Sequence, residues 1–172
     1  ISKVTVLPNC LSDIDYVVPN KKVVPTKIKD LSDTKFLIFL GRFTKYKNIT
    51  ILIKAFKELI KEINDVKLYL VGSGKEHKNI IHEIKSNQLD QKILIINSTN
   101  DEEKKFLLNK ALFTVLPSTT TLESFGIVQI ESLAMGTPVI CYEIPHSGVG
   151  SLNINMETGI VIQQGEDNIK LL

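Results

Sequence analysis

Tryptophan is absent from this 172-residue chain, cysteine occurs twice and histidine three times, and neither sign of charge predominates. Cys10 and Cys141 have no regular spacing, so no disulfide framework is encoded, and a reducing, cytoplasmic setting is expected. His77 and His82 lie five apart and do not share a helix face, so they read as surface residues. His146 reads as a loop histidine after Pro145, and no cysteine–histidine–carboxylate cluster calls for a metal or a protease. A net charge of +2 is too small to argue for nucleic acid or a membrane surface. Apolar runs such as Leu37 to Leu40 are far too short to span a bilayer, and the opening residues, interrupted by Pro8, do not read as a secretory leader.

What is present is an ordinary globular composition, 43% hydrophobic and 23% charged. A chain of this length can bury roughly 70% of its unfolded surface in one domain. It begins at Ile1 and stops at Leu172 in what reads as the first turn of a helix, so it is expected to be a fragment. Val4 to Leu7 reads as a short strand, and residues 8–34 as a long loop. Short apolar runs then alternate with helical periodicities. Strands are predicted at Phe36–Leu40, Val66–Val71, Ile93–Ile96, Leu112–Leu116, Pro138–Tyr142 and Ile160–Ile162. Helices are predicted after Asn48, over Lys75–Ser86, from an Asp101 cap through Asn109, and over Ser124–Met135, with a short helix or loop near 147–155. Because the strands are continuously apolar, both faces of the sheet should be covered. The expected fold is a doubly wound α/β domain with a parallel sheet and its ligand beyond the strands' carboxyl ends.

Several candidate residues fall at those ends. The most informative stretch is Glu123-Ser-Phe-Gly-Ile-Val-Gln-Ile-Glu131, two carboxylates around a Phe125-Gly126 pair. Gly126 falls near a helix N-terminus, where unpaired amides and the helix dipole favour an anion such as phosphate. Glu123 and Glu131 are expected on nearly one side of that helix. Read singly, they would be a cap and a solvated helix residue. Gly41 permits close backbone approach, Arg42 offers bidentate donors, and Lys47 adds a mobile point charge at the next helix start. Alone, that loop would be solvated surface; with the Glu123–Glu131 block it reads as a phosphate site. Gly72-Ser73-Gly74-Lys75 fits neither the phosphate-loop nor the dinucleotide spacing, because Tyr69 and His77 stand where glycines are needed. It reads as a tight turn. Cys141 reads as a small buried hydrophobe.

Together these residues resemble the C-terminal domain of retaining GT-B glycosyltransferases, the large glycosyltransferase family 4 (group 1). The resemblance runs from about Val4 to Leu172. It is carried by Pro8-Asn9, Gly41-Arg42 with Lys47, Leu70-Val71-Gly72-Ser73-Gly74, the Glu123-to-Glu131 block through Gly136-Thr-Pro-Val-Ile140, and Thr158-Gly159-Ile-Val. It implies a Rossmann-like half of a GT-B fold, with residues 1–34 leading in from an absent N-terminal domain and 35–172 binding a nucleotide sugar. By resemblance, Arg42 and Lys47 neutralise the donor diphosphate, the amides of Phe125, Gly126 and Ile127 hold the distal phosphate and sugar, and Glu123 faces sugar hydroxyls near the reacting carbon. Glu131 accepts from the ribose, and Asn97-Ser98 borders the base. No metal or other cofactor is implied. The acceptor, a glycan, lipid or polysaccharide, would bind the N-terminal domain, so the fragment alone should be inactive. Cys10, Asn48 and Asn97 stand where the family commonly has glycine, and 145–152 lacks the usual acidic residue near Ser151. Those departures keep open a non-catalytic nucleotide-sugar-binding or assembly module. An epimerase of the same architecture fits the Glu123-to-Gly136 block less well.

Overall fold

The computed structural model describes Ile28 and residues 34–163. The strand expected at Val4–Leu7, nearly all of the 8–34 loop, Cys10 and the helix start at Leu172 lie outside the described residues.

Among the described residues, six strands form one sheet in the order β3-β2-β1-β4-β5-β6. They are β1 (Phe36–Leu40), β2 (Lys67–Val71), β3 (Ile93–Ile96), β4 (Phe113–Leu116), β5 (Val139–Tyr142) and β6 (Gly159–Ile162), all paired in parallel. Four helices connect them: α1 (Ile49–Glu62), α2 (His77–Ser86), α3 (Asp101–Lys110) and α4 (Ile127–Ala134). This is the doubly wound, Rossmann-like arrangement expected from the apolar runs.

The strands read as uniformly apolar because successive side chains serve two separate cores. In β1, Leu37 and Phe39 pack with Leu52, Ile53 and Phe56 of α1 and Ile80 and Ile84 of α2. Phe36 and Ile38 point the other way, into a cluster with Tyr69, Val71 and Phe106, Leu107 and Leu108 of α3. A third cluster joins Leu116, Val139 and Cys141 to Val128 of α4. No described helix is long and apolar enough to cross a membrane.

The differences from expectation lie at element ends. α4 begins at Ile127 and not at Ser124, because Gly126 takes a left-handed conformation (φ 69°, ψ 63°) that interrupts the helical phase. Asn48 precedes α1, but it is left-handed (φ 55°) and its side chain makes no cap; its carbonyl instead accepts from Ile51 N–H at 3.1 Å. Asn100, not Asp101, caps α3: its side chain accepts from Glu103 N–H while Glu103 accepts from Asn100 N–H, a reciprocal capping box. α2 starts two residues later than expected, since Glu76 N–H is taken by the Phe43 carbonyl at 3.0 Å. His77 is half-buried, its ring stacked on Phe43 at 5.9 Å, and so is not simply a surface residue. Residues 147–155 form turns and loop without a regular helix.

Candidate functional site

β1 stands between β2 and β4, and the chain winds outward from it in both directions. The gap between β1 and β4 is therefore the topological switch point, where the loops after neighbouring strands diverge and leave a crevice. The loop after β1 carries Gly41, Arg42 and Lys47, and the loop after β4 carries Glu123 to Gly126.

The first loop is tied to the one after β2. Gly41 N–H donates to Val71 O at 3.0 Å and Phe43 N–H to Ser73 O at 2.8 Å, extending the ladder beyond the strands. Phe43 is fully buried beneath it. Gly72 (φ 142°) is required here, because a Cβ at that position would stand 1.9 Å from the Gly41 carbonyl oxygen. The glycines at 72 and 74 thus brace the basic loop from behind.

Between the two loops opens a cleft of about 440 Å³. Gly41, Arg42 and Lys47 form one wall; Glu123, Phe125, Gly126, Ile127 and Glu131 form the other. Eight of the residues singled out from the sequence are thereby brought together. Asn97 and Ser98 are not among the residues lining it: they are exposed at the end of β3, the outer strand two positions from the switch point. His146 is exposed and likewise outside the lining.

Gly126 places the amino end of α4 on the cleft wall, and the first amides of a helix have no carbonyl within the helix to meet. A Cβ at Gly126 would lie 2.7 Å from Leu116 Cδ2, so glycine serves both the turn and the packing. Gln129, fully buried, secures this turn from below, with Nε2 donating to the carbonyls of Phe125 (3.2 Å) and Val149 (3.1 Å) and Oε1 accepting from Asn153. Ser147 Oγ donates to the Glu123 carbonyl, and Gly148 N–H to Ser124 O at 2.8 Å.

Lys47 departs from expectation. It is 8% exposed, and its ammonium forms an ion pair with Glu123, itself 6% exposed. Ser118 Oγ donates to the same carboxylate oxygen at 2.9 Å. The lysine stem is held in a short 3-10 turn, Lys45–Lys47, and its Nζ lies 5.5 Å from the Tyr46 ring. Arg42, on the same loop, remains exposed. Glu131 was expected beside Glu123 by helical phase; the later helix start removes that relation, yet both still line the cleft. Glu131 Oε1 accepts from Lys104 Nζ of α3 at 3.1 Å.

Ser118, Gln129, Lys104 and Asn153 were not singled out from the sequence. A serine at a strand end and a glutamine two residues into an apolar helix were the available signals. Lys104 reads as one more solvated lysine, because its partner is 27 residues away. Away from the cleft, burial pushes the Cys141 thiol up to about 11 and the Tyr142 phenol up to about 12.

A profile of the family described as "Glycosyl transferases group 1" matches residues 21–171. The chain belongs to the group 1 glycosyltransferases. This member is 30% identical over 145 residues to the poly(glycerol-phosphate) alpha-glucosyltransferase of Bacillus subtilis, an alignment covering 84% of this chain and 21% of that one. It is 32% identical over 171 residues to the capsular polysaccharide biosynthesis glycosyltransferase CapM of Staphylococcus aureus, covering 96% of this chain and 43% of the relative. The chain therefore spans less than half the length of these two curated relatives. Its fold superposes on Anabaena Alr3699/HepE, solved in complex with UDP and glucose, with a TM-score of 0.69 at 22% identity, over 80% of this chain and 36% of that one. That likeness shows the Rossmann-like α/β fold of GT-B glycosyltransferases.

Proposed function

We propose that residues 35–172 are the donor-binding domain of a retaining, metal-independent glycosyltransferase, with residues 1–34 leading in from a domain that binds the acceptor. The observation that carries this reading is the convergence of Arg42, Lys47 and the amino end of α4 on one cleft at the switch point. Cationic side chains facing a helix N-terminus suit a diphosphate, which each would hold through charge-assisted hydrogen bonds. The UDP and glucose in the Anabaena relative are a ligand of this kind.

In this reading the pyrophosphate of a nucleotide-diphosphate sugar lies between Arg42 and Lys47 on one side and the amides of Phe125, Gly126 and Ile127 on the other. The sugar reaches toward Glu123, and the ribose toward Glu131. Asn97 and Ser98 border the base only if the base extends past the described cleft toward β3. As the glycosidic bond breaks, negative charge builds on the leaving diphosphate. Positive groups converging on the cleft stabilise that charge. Glu123 balances Lys47 and holds its ammonium at the cleft wall. The acceptor would be a glycan, lipid or polysaccharide and would attack from the face the diphosphate leaves.

Calorimetric titration of the full-length protein with UDP, GDP and ADP tests the reading. Binding of one diphosphate, weakened by Arg42→Ala, is expected; absence of binding to all three at millimolar concentration would overturn it.

A further inference from the structure

The Glu131 carboxylate is not left to find its own orientation. It sits on α4 with its side chain 13% exposed, at the wall of the cleft. Lys104 crosses from α3 and places Nζ 3.1 Å from Glu131 Oε1. The same ammonium lies 3.4 Å from Asp101 Oδ1, one turn back on its own helix. That turn is in turn fixed by the Asn100–Glu103 capping box. The result is a relay from a helix cap, through an aspartate and a lysine, to a carboxylate in the cleft.

We propose that Lys104 is a positioning residue for nucleotide recognition: it holds Glu131 in the orientation that accepts the ribose hydroxyls. The proposal rests on the donor-binding reading above and extends it to a residue outside the cleft lining. Its physical basis is entropy and direction. A glutamate has three side-chain torsions, and ordering them on ligand arrival weakens binding. A carboxylate offers about four lone-pair sites on two oxygens, more than a single lysine contact uses. Anchoring Oε1 on Lys104 narrows the side-chain torsions from which the carboxylate can meet a ligand. The lysine itself is 20% exposed at its side chain, and Asp101, 85% exposed, adds a weaker, solvent-screened contact.

A role confined to packing α3 on α4 would weaken every ligand equally. A positioning role changes the discrimination between ribose and deoxyribose. The test is calorimetry on the full-length protein with whichever of UDP, GDP and ADP binds, beside its 2′-deoxy and 3′-deoxy counterparts. The unmodified protein should prefer the ribose form by about ten-fold or more, the range for a hydrogen bond to a charged group. In Lys104→Met, which keeps the aliphatic stem, that preference should fall toward unity, and Lys104→Arg should restore most of it. Asp101→Asn, at the far end of the relay, should lower it to a smaller degree while leaving the thermal midpoint close to that of the unmodified protein. An unchanged ribose preference in Lys104→Met, or in Asp101→Asn if the methionine variant does not fold, overturns the proposal. A protein that binds a diphosphate with no ribose preference also overturns it, while leaving the donor-binding reading intact. Failure to bind any of the three diphosphates removes the donor-binding reading itself, and this inference with it.

Discussion

Lys47 and Glu123, 76 positions apart in the chain, meet as a buried ion pair across the gap between β1 and β4. Ser118 donates to the same carboxylate oxygen, so the acid is held from two sides. The pair ties the two loops of the cleft together.

Removing one member should therefore cost more than removing both. Breaking a buried pair leaves an uncompensated charge, worth about 3–5 kcal/mol in a fully dry interior. This pair lines an open cleft, and water can reach it, so about 1–3 kcal/mol is expected for Lys47→Met or Glu123→Gln. The double variant should recover part of that loss. Urea unfolding of the four proteins, treated as a double-mutant cycle, measures the coupling; strictly additive losses would show that the pair contributes nothing to stability.

Arg42 is exposed, so its removal should leave folding nearly untouched and act on the ligand. For Arg42→Ala the expected loss is about 1.5–3 kcal/mol of nucleotide-diphosphate affinity, the range for a charged hydrogen-bonding group. The thermal midpoint should hardly move. Calorimetry beside a thermal melt checks both halves, and unaltered affinity would take Arg42 out of the site.

Gly126→Ala places a methyl group 2.7 Å from Leu116 Cδ2 and 3.0 Å from Gln129 Nε2, at a residue with φ 69°. Left-handed backbone costs an alanine about 1–2 kcal/mol, and overpacking adds about 1–3 kcal/mol. A destabilisation of about 2–5 kcal/mol is expected from these two terms together. Chemical unfolding reads it directly; a change under about 0.5 kcal/mol, the size of an ordinary surface substitution, would contradict the tight turn.

The buried acids in β5 predict weakening in alkali. The Cys141 thiol is raised from about 9 to about 11 and the Tyr142 phenol from about 10 to about 12, both chiefly by burial. Each group therefore stays protonated in the folded chain after it has begun to ionise in the unfolded one. Proton loss then favours unfolding, so stability should decline as pH rises through the window from about 9 to about 12. Melting curves across that range should show the decline, with Cys141→Ala flattening its lower part; a midpoint constant to pH 12 would refute the assignment.

Most of the fold was legible because strand identity rests on local composition. A run such as Phe36–Leu40 can only be satisfied between two cores, and the two clusters flanking β1 are what that pattern demands. The cleft was legible for a related reason. Glycines and charges placed just past strand ends are constrained by topology to converge, and Gly41, Arg42, Lys47 and the Glu123–Glu131 block do so. What the sequence concealed were partnerships across the chain. Nothing local distinguishes Lys47 from its solvated neighbour Lys45, since burial follows from a glutamate on another loop. Lys104 was hidden in the same way by Glu131. Capping errors had a different origin: Asn100 and Asp101 are both good caps, and only Glu103, three residues beyond Asn100, decides between them.

The bond from Gly41 to Val71, the bond from Phe43 to Ser73 and the contact that excludes a side chain at Gly72 make the arginine-bearing segment a prolongation of the sheet, not a flap. Such a segment has little slack to give. Whatever accommodates ligands of different shape must lie elsewhere, in the guanidinium arm of Arg42 and in how readily the lysine exchanges its acid for an incoming anion. Under the donor-binding proposal, tolerance toward varied donors rests on two side chains carried by a braced frame.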